Sequence, residues 1–278
     1  MKLKIMAFAL TAVAVMSHTS QVAAHEMFLK AEGSSTPANS TQFVRLINGT
    51  FDKSENSITR DRMNDVTVIG DGKVFHPPVS SWSDDAKKTY SSLTFKTGDP
   101  GTYVVGISTK PSIIELSAAD WVTYLKHDGV VDTLAVFEKE NKLAKVRERY
   151  SKHVRTIIQV GDKKTPDYAK TLGYPVEIIL DQNPYSLKFG DNISFRVLYK
   201  GKPAANQVVR ASYEGFHGHD TAGGHINSYN LRTDNDGRAS FLLNNKALWY
   251  ISLIHMEKVN DAAADYESNW ATLTFQVK

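Results

Sequence analysis

The sequence contains no cysteine among its 278 residues. This absence excludes disulfides, thiolate metal sites, cysteine nucleophiles and iron–sulfur clusters. A bound metal ion must therefore be held by imidazole, carboxylate, amine or backbone groups. An exported protein without disulfides is more typical of a bacterial periplasm than of a small disulfide-stapled secreted module.

A strong net charge and a long apolar run are also missing. The formal charge is +3, and it falls to +1 once residues 1–24 are removed, because that segment carries two lysines and no acid. A nearly neutral chain predicts no binding to nucleic acid or to an anionic membrane surface. No run after residue 24 is apolar enough to cross a bilayer, so we expect no direct membrane insertion of the mature protein.

Residues 1–24 have the features of a secretory signal peptide. A basic start at residues 1–4 precedes an apolar run at 5–15, and small residues at 22–24 suit cleavage after Ala24. We therefore expect a periplasmic mature protein that begins at His25, and an uncleaved N-terminal anchor is the alternative. Cleavage would place a free α-amine and an imidazole on one residue, and this pair can chelate a metal ion.

The rest of the chain predicts a mainly β fold with a short helical segment in the middle. We expect a β-rich N-terminal domain at 25–110, a helical connecting segment at 111–172 and an immunoglobulin-like β-sandwich domain at 173–278. The strands are short β-branched and aromatic runs bounded by Gly, Pro, Asn and Asp. They lie at 41–47, 65–69, 92–95, 102–108, 176–180, 193–199, 207–213, 241–243, 249–256 and 271–277.

The helical segment has clear start and stop signals. Ser117 is a good N-cap, Trp121 and Leu125 define an apolar stripe, and Gly129 is a natural end. A second helical pattern starts near Asp132. The charged run at 147–152 that follows is predicted to be a solvated surface, before a strand from about residue 154.

Histidines supply the candidate metal ligands. His217, His219 and His225 fall within nine residues of one glycine-rich loop, where imidazoles suit zinc, copper, nickel or cobalt. The alternative is a flexible polar loop that binds metal only adventitiously. His255 lies on the core-facing side of a predicted strand, either as a rigid ligand or as a hydrogen-bonded core residue. Glu267 is either a carboxylate that supports such a site or an ordinary loop acid.

Eight short segments along the mature chain carry a family resemblance. They are 25–29 (HEMFL), 147–152 (RERYSK), 183–185 (NPY), 190–191 (GD), 197–203 (VLYKGKP), 233–238 (TDNDGR), 255–256 (HM) and 266–270 (YESNW). In their order and number the chain resembles the DUF4198 family along nearly all of its mature length. Members of this family are described as periplasmic components of cobalt or nickel transport systems, so the resemblance implies metal handling. It also marks His25 and His255 as recurring features, whereas the loop histidines are more particular to this chain.

These observations predict a periplasmic, non-catalytic protein that binds a divalent transition-metal ion for uptake or delivery, with a membrane metal transporter as a partner. Its ligands would come from His25 and His255, with the loop histidines and Glu267 closing or supporting the site. Two other interpretations remain open. One is a metal-independent envelope adaptor, and the other is a copper-dependent oxidative enzyme built on the N-terminal histidine.

Overall fold

A computed structural model describes residues 25–33, 35–140, 143–219 and 225–278, excluding the side chains of His219 and His225. The predicted signal peptide and the middle of the histidine loop, residues 220–224, lie outside this part of the chain. The expectations about signal cleavage and about the loop side chains therefore stay predictions.

The described residues form nineteen strands and two α-helices. The strands are β1 (Glu26–Ala31), β2 (Thr41–Gly49), β3 (Met63–Gly70), β4 (Lys73–Phe75), β5 (Trp82–Asp84), β6 (Ser91–Lys96), β7 (Gly101–Thr109), β8 (Ser112–Ser117), β9 (Lys145–Val160), β10 (Val176–Leu180), β11 (Asn192–Tyr199), β12 (Lys202–Pro203), β13 (Val208–Tyr213), β14 (Gly218–His219), β15 (His225–Ile226), β16 (Tyr229–Arg232), β17 (Arg238–Leu242), β18 (Leu248–Lys258) and β19 (Tyr266–Gln276). The helices are α1 (Ala118–His127) and α2 (Val131–Glu140). The mainly β prediction is confirmed.

The strands build three layers. A nine-stranded sheet lies in the middle, in the order β16-β13-β18-β19-β9-β7-β3-β4 with β8 also paired to β9. A four-stranded sheet, β1-β2-β6-β5, packs on one face, and β10, β11, β12 and β17 form the sheet on the other. Neighbouring residues of β7 illustrate this, because Val104 belongs to the same core cluster as Ile178 while Val105 belongs to the same core cluster as Leu46.

Strand β1 is attached to the middle sheet through hydroxyl groups. Thr272 Oγ1 on β19 donates to the carbonyl of Met27 at 2.7 Å, and Thr274 Oγ1 donates to the carbonyl of Leu29. Arg210 on β13 adds an ion pair to Glu26 at 2.9 Å. The backbone next to His25 is therefore held by strands from the far end of the sequence.

The helices lie on the same face of the middle sheet as β1. The Ser117 Oγ accepts a hydrogen bond from the backbone N–H of Asp120 at 3.1 Å, so the predicted N-cap is confirmed. Trp121 and Leu125 are buried against Trp270 of β19. No helix in the described ranges combines the length and the hydropathy needed to cross a bilayer.

The charged run at 147–152 is not a solvated surface, and that prediction was wrong. It belongs to β9, which starts at Lys145 and runs for 16 residues in the middle of the large sheet. The side chains of Glu148 and Lys152 are buried, because β19 flanks the strand on one side and β8 and β7 flank it on the other. The range 111–172 thus holds the longest described strand as well as both helices.

Candidate functional site

A cavity of about 380 Å³ lies where the four-stranded sheet, the helices and the middle sheet meet. Strands β9 and β19 contribute Glu148, Lys152 and Trp270 to its lining. Helix α1 contributes Tyr124 to the lining. His25, the residue immediately before β1, also lines the cavity. The volume is within the range of small-molecule sites, which start at about 300 Å³.

Glu148 is a buried carboxyl group whose described hydrogen-bond donors are two neutral hydroxyls. Its Oε1 accepts hydrogen bonds from the hydroxyls of Tyr124, at 2.9 Å, and Ser268. Burial raises the pKa of Glu148 to about 7, although both hydroxyls stabilise the ionised form and oppose the shift. The group therefore exchanges its proton near neutral pH, which is a feature common at functional sites.

Lys152 lies four residues further along the same strand and on the same face. Its Nζ donates to the carbonyl of His25 and lies 5.4 Å from the ring centre of Trp270. Burial lowers the pKa of Lys152 to about 8, with nearby acids, Glu26 first, opposing the shift. The cavity thus contains a buried amine that is held by a neutral carbonyl.

Arg62 is a second cation on the cavity wall. Its Nη2 donates to the hydroxyl of Ser112 on β8. Within the described residues, neither Arg62 nor Lys152 lies within 4.0 Å of a carboxylate oxygen. Two positive groups therefore border one cavity without an ion-pair partner.

His25 lies at the junction of two open volumes. Its Nε2 is 2.5 Å from Oε2 of Glu55, and it also lines a groove of about 520 Å³. His127 and Asp128 line the same groove, with His127 Nδ1 2.9 Å from Asp128 Oδ1. Imidazoles and carboxylates from three separate segments therefore border this groove.

The histidine loop begins and ends at the rim of that groove. Phe216 and Asn227, which flank residues 217–225, both line it. The backbones of His219 and His225 pair across the short hairpin of β14 and β15, and His217 is exposed. The loop therefore starts and returns on the side of the molecule where His25 lies.

His255 lies elsewhere. As predicted, Trp249, Ile251 and Leu253 on its strand point into the core, and His255 is at the rim of that face. Its Nδ1 is 2.9 Å from Gln207 Oε1, and its ring packs on Tyr199 with 3.8 Å between centroids. Burial lowers the pKa of His255 and so favours the neutral imidazole.

His255 lines a separate pocket of about 240 Å³ and shares no described cavity with His25. Glu267 is on β19 rather than in a loop, and its carboxylate is paired with Arg149 at 2.9 Å. Among the described residues, no three His, Asp or Glu side chains form a group able to hold a metal ion. The metal ligands inferred from the sequence therefore stay predictions.

The sequence reading missed Glu148, Lys152, Tyr124 and Arg62. One signal is present in the sequence, because the strand predicted from about residue 154 carries Val154 and the following even-numbered positions on one face. Extending the same alternation backwards places Lys152 and Glu148 on the face that carries Val154. The charge of the segment masked this periodicity.

Comparisons with known proteins give one clear relationship. A profile of the family described as "Domain of unknown function (DUF4198)" matches residues 22–257. A search of curated proteins found no match.

Several solved structures align with low similarity. The Yersinia pseudotuberculosis adhesin InvE is 15% identical with a TM-score of 0.22, covering 91% of this chain and 59% of its own. Trypsin-activated alpha-2-macroglobulin from Escherichia coli is 10% identical with a TM-score of 0.23, covering 92% and 16%. A two-domain fibronectin type-III segment of chicken tenascin is 11% identical with a TM-score of 0.21, covering 91% and 99%. The chain spans about three fifths of InvE, and these scores are too low to support a functional argument.

Proposed function

Because the chain belongs to the DUF4198 family, whose function is unknown, we propose a function from the surroundings of His25. The protein is a non-catalytic periplasmic component that binds a divalent transition-metal ion, which is nickel, cobalt, copper or zinc. It passes the ion to a membrane metal transporter. The observation that carries the proposal is the contact of 2.5 Å between His25 Nε2 and Glu55 Oε2.

This contact supports a chelate because of which ring nitrogen it engages. A carboxylate that accepts the N–H of one imidazole nitrogen fixes the tautomer and makes the other nitrogen the metal ligand. In His25 that other nitrogen is Nδ1, which closes a six-membered chelate ring with the α-amine of the same residue. Cleavage after Ala24 would create this amine, and Glu55 would orient the ring.

The groove beside His25 offers further ligands. His127 and Asp128 border it, and the loop at 217–225 starts and returns at its rim. His217, His219 and His225 are therefore better partners for His25 than His255, which lines another pocket. We assign His255 and Glu267 supporting roles in the protein fold, because each is engaged by another side chain.

Calorimetry on mature protein beginning at His25 tests the proposal with each of the four metals. His25→Ala should weaken binding by at least about tenfold, and Glu55→Gln by about 10- to 100-fold. The sharpest control keeps His25 but adds one alanine before it, which moves the amine and should weaken binding as His25→Ala does. Affinity should also fall as the buffer is made acidic, because the ligating imidazole must be deprotonated to bind the metal.

Equal metal affinity in the mature, extended and His25→Ala proteins would contradict this site. If no metal binds and a membrane partner is still captured by metal-free protein, the adaptor interpretation would replace it.

We also propose that residues 173–278 form an immunoglobulin-like sandwich. Its support is the packing of β10, β11 and β17 against β13, β18 and β19, with Phe195, Trp249 and Phe275 between the two sheets. Both sets of strands pair antiparallel within their own sheet.

A further inference from the structure

Two cations in the cavity beside β1 make no ion pair with the described residues. Lys152 is 9% exposed and Arg62 is half-buried, and neither is within 4.0 Å of a described carboxylate oxygen. Buried charges in folded proteins are normally paired, because an isolated charge loses its hydration without compensation. An anion in the cavity would supply the missing partner.

We propose that this cavity is a binding site for a small organic monocarboxylate with an apolar body. The site is distinct from the proposed metal chelate, because it depends on the side chains of Arg62 and Lys152 rather than on the imidazole of His25. It adds a ligand of a different chemical class to the protein.

The two cations are oriented before a ligand arrives. Lys152 Nζ is anchored by the carbonyl of His25, and Arg62 Nη2 is anchored by the hydroxyl of Ser112. Each anchor is a neutral acceptor, so it does not compensate the charge of the cation and leaves further N–H groups for an incoming carboxylate. Charge-assisted hydrogen bonds of this kind are about twice as strong as neutral ones.

The remainder of the wall suits an apolar body. Met27, Ile58, Ile114 and Leu116 line it, together with the ring of Trp270. Its volume of about 380 Å³ is more than twice the roughly 150 Å³ of an engineered apolar cavity that holds benzene. An aromatic or a six-carbon aliphatic acid therefore fits without filling the space.

Glu148 restricts the ligand to one carboxylate. Its Oε1 is occupied by the hydroxyls of Tyr124 and Ser268, and the acid lines the same cavity as the two cations. A second carboxylate on the ligand would meet this acid in a buried setting, where repulsion between like charges is strong. The cavity should therefore select against dicarboxylates.

The test uses calorimetry on the mature full-length chain in the presence of EDTA, so that metal binding plays no part. Benzoate and hexanoate are the probes, with benzamide and hexanamide as neutral matches and terephthalate as the dicarboxylate. At least one monocarboxylate should bind, and its amide and terephthalate should bind at least about tenfold more weakly.

Three variants locate the binding. Lys152→Met and Arg62→Gln should each weaken the monocarboxylate by at least about tenfold. Lys188→Met removes the same charge at an exposed position and should leave the affinity unchanged. Arg62→Gln decides the result if Lys152→Met does not fold, because Arg62 is only half-buried.

The proposal is overturned if neither acid binds, if the amides bind as tightly as the acids, or if Arg62→Gln leaves the affinity unchanged. Equal binding of benzoate and terephthalate would overturn the selection against dicarboxylates. Because metal is absent, failure here is separable from failure of the His25 chelate.

Discussion

The two halves of β9 bury charge in different ways. In the second half, Arg155 Nη1 lies 3.4 Å from Glu177 Oε2, and both side chains are almost fully buried in a packed layer. In the first half, Glu148 and Lys152 face a cavity, and no ion pair within 4.0 Å joins them to each other or to any other described residue. The first arrangement pairs its two buried charges with each other, whereas the second leaves its charges without an ion pair among the described residues.

We therefore distinguish two kinds of buried charge on β9. Arg155 is paired and stabilises the fold, whereas Glu148 and Lys152 face a cavity that could hold a ligand. Arg155 also donates to the carbonyls of Tyr168 and Lys170, and Glu177 accepts from the backbone N–H groups of Leu172 and Gly173. That network holds the segment before β10 against the middle sheet. Glu148 is hydrogen-bonded by neutral hydroxyls instead. Its pKa is raised because burial makes the ionised carboxylate less stable.

The largest effect should come from breaking the structural pair. Glu177→Ala leaves a buried guanidinium without its partner and two N–H groups without an acceptor, so we expect a loss of about 3–5 kcal/mol in the free energy of unfolding. Urea denaturation at pH 7 measures it. Glu115→Ala removes an acid from the exposed pair with Lys145 and should cost less than about 1 kcal/mol. Similar losses in the two variants would remove the distinction between the halves.

The second-largest effect should be a gain in the free energy of unfolding, where Glu177→Ala gives a loss, and its size should depend on pH. The pKa of Glu148 is about 7 in the folded protein and 4.5 ordinarily, so its contribution to stability is full below about pH 4.5 and is lost as pH rises through 7. Glu148→Gln keeps the acceptor for Tyr124 but cannot ionise. It should be more stable than the parent protein at pH 8 by up to about 3 kcal/mol.

Paired urea denaturation curves at pH 5 and pH 8 measure this gain. The advantage of Glu148→Gln should be much smaller at pH 5, where the glutamate is protonated in the folded protein. An equal difference between variant and parent at both pH values would show that Glu148 is not an ionisable cost in the folded state.

The smallest effect tests the helix that brings Tyr124 to the cavity. Ser117→Ala removes the N-cap of α1 and should lower the free energy of unfolding by about 1 kcal/mol. The loss should be equal at pH 5 and pH 8, because the side chain of Ser117 bonds to Asp120 and not to Glu148, whose pKa lies between these two values. A loss that grows with pH would mean that the cap also controls the hydroxyl of Tyr124 that stabilises ionised Glu148.

Local signals predicted much of the fold. The strand at 176–180 was placed with the bounds that the structure has, and the helix start at Ser117 was read from its cap. Those features depend on neighbouring residues, so a sequence window contains them. The start of β9 was missed because a run of four charged residues in six outweighed an alternation that covers Val146, Glu148 and Lys152.

The candidate site was less accessible to sequence reasoning. The cavity joins residues from β1, β8, β9, α1 and β19, and β9 runs parallel to β19 across more than a hundred residues of sequence. No local pattern encodes such a pairing. The importance of His25 came from its position after the predicted signal, but its neighbours Glu55 and Lys152 became visible only in three dimensions.

The hydrogen bonds from the hydroxyls of β19 to the carbonyls of β1 also constrain the order in which the strands can assemble. Thr272 and Met27 are separated by 245 residues, yet their contact fixes the strand that begins beside His25. Closing so long a loop is slow and must wait until β19 exists. During synthesis, the strand that is made first would therefore dock on the middle sheet only after β19 has formed, although its pairing with β2 needs no residue of β19.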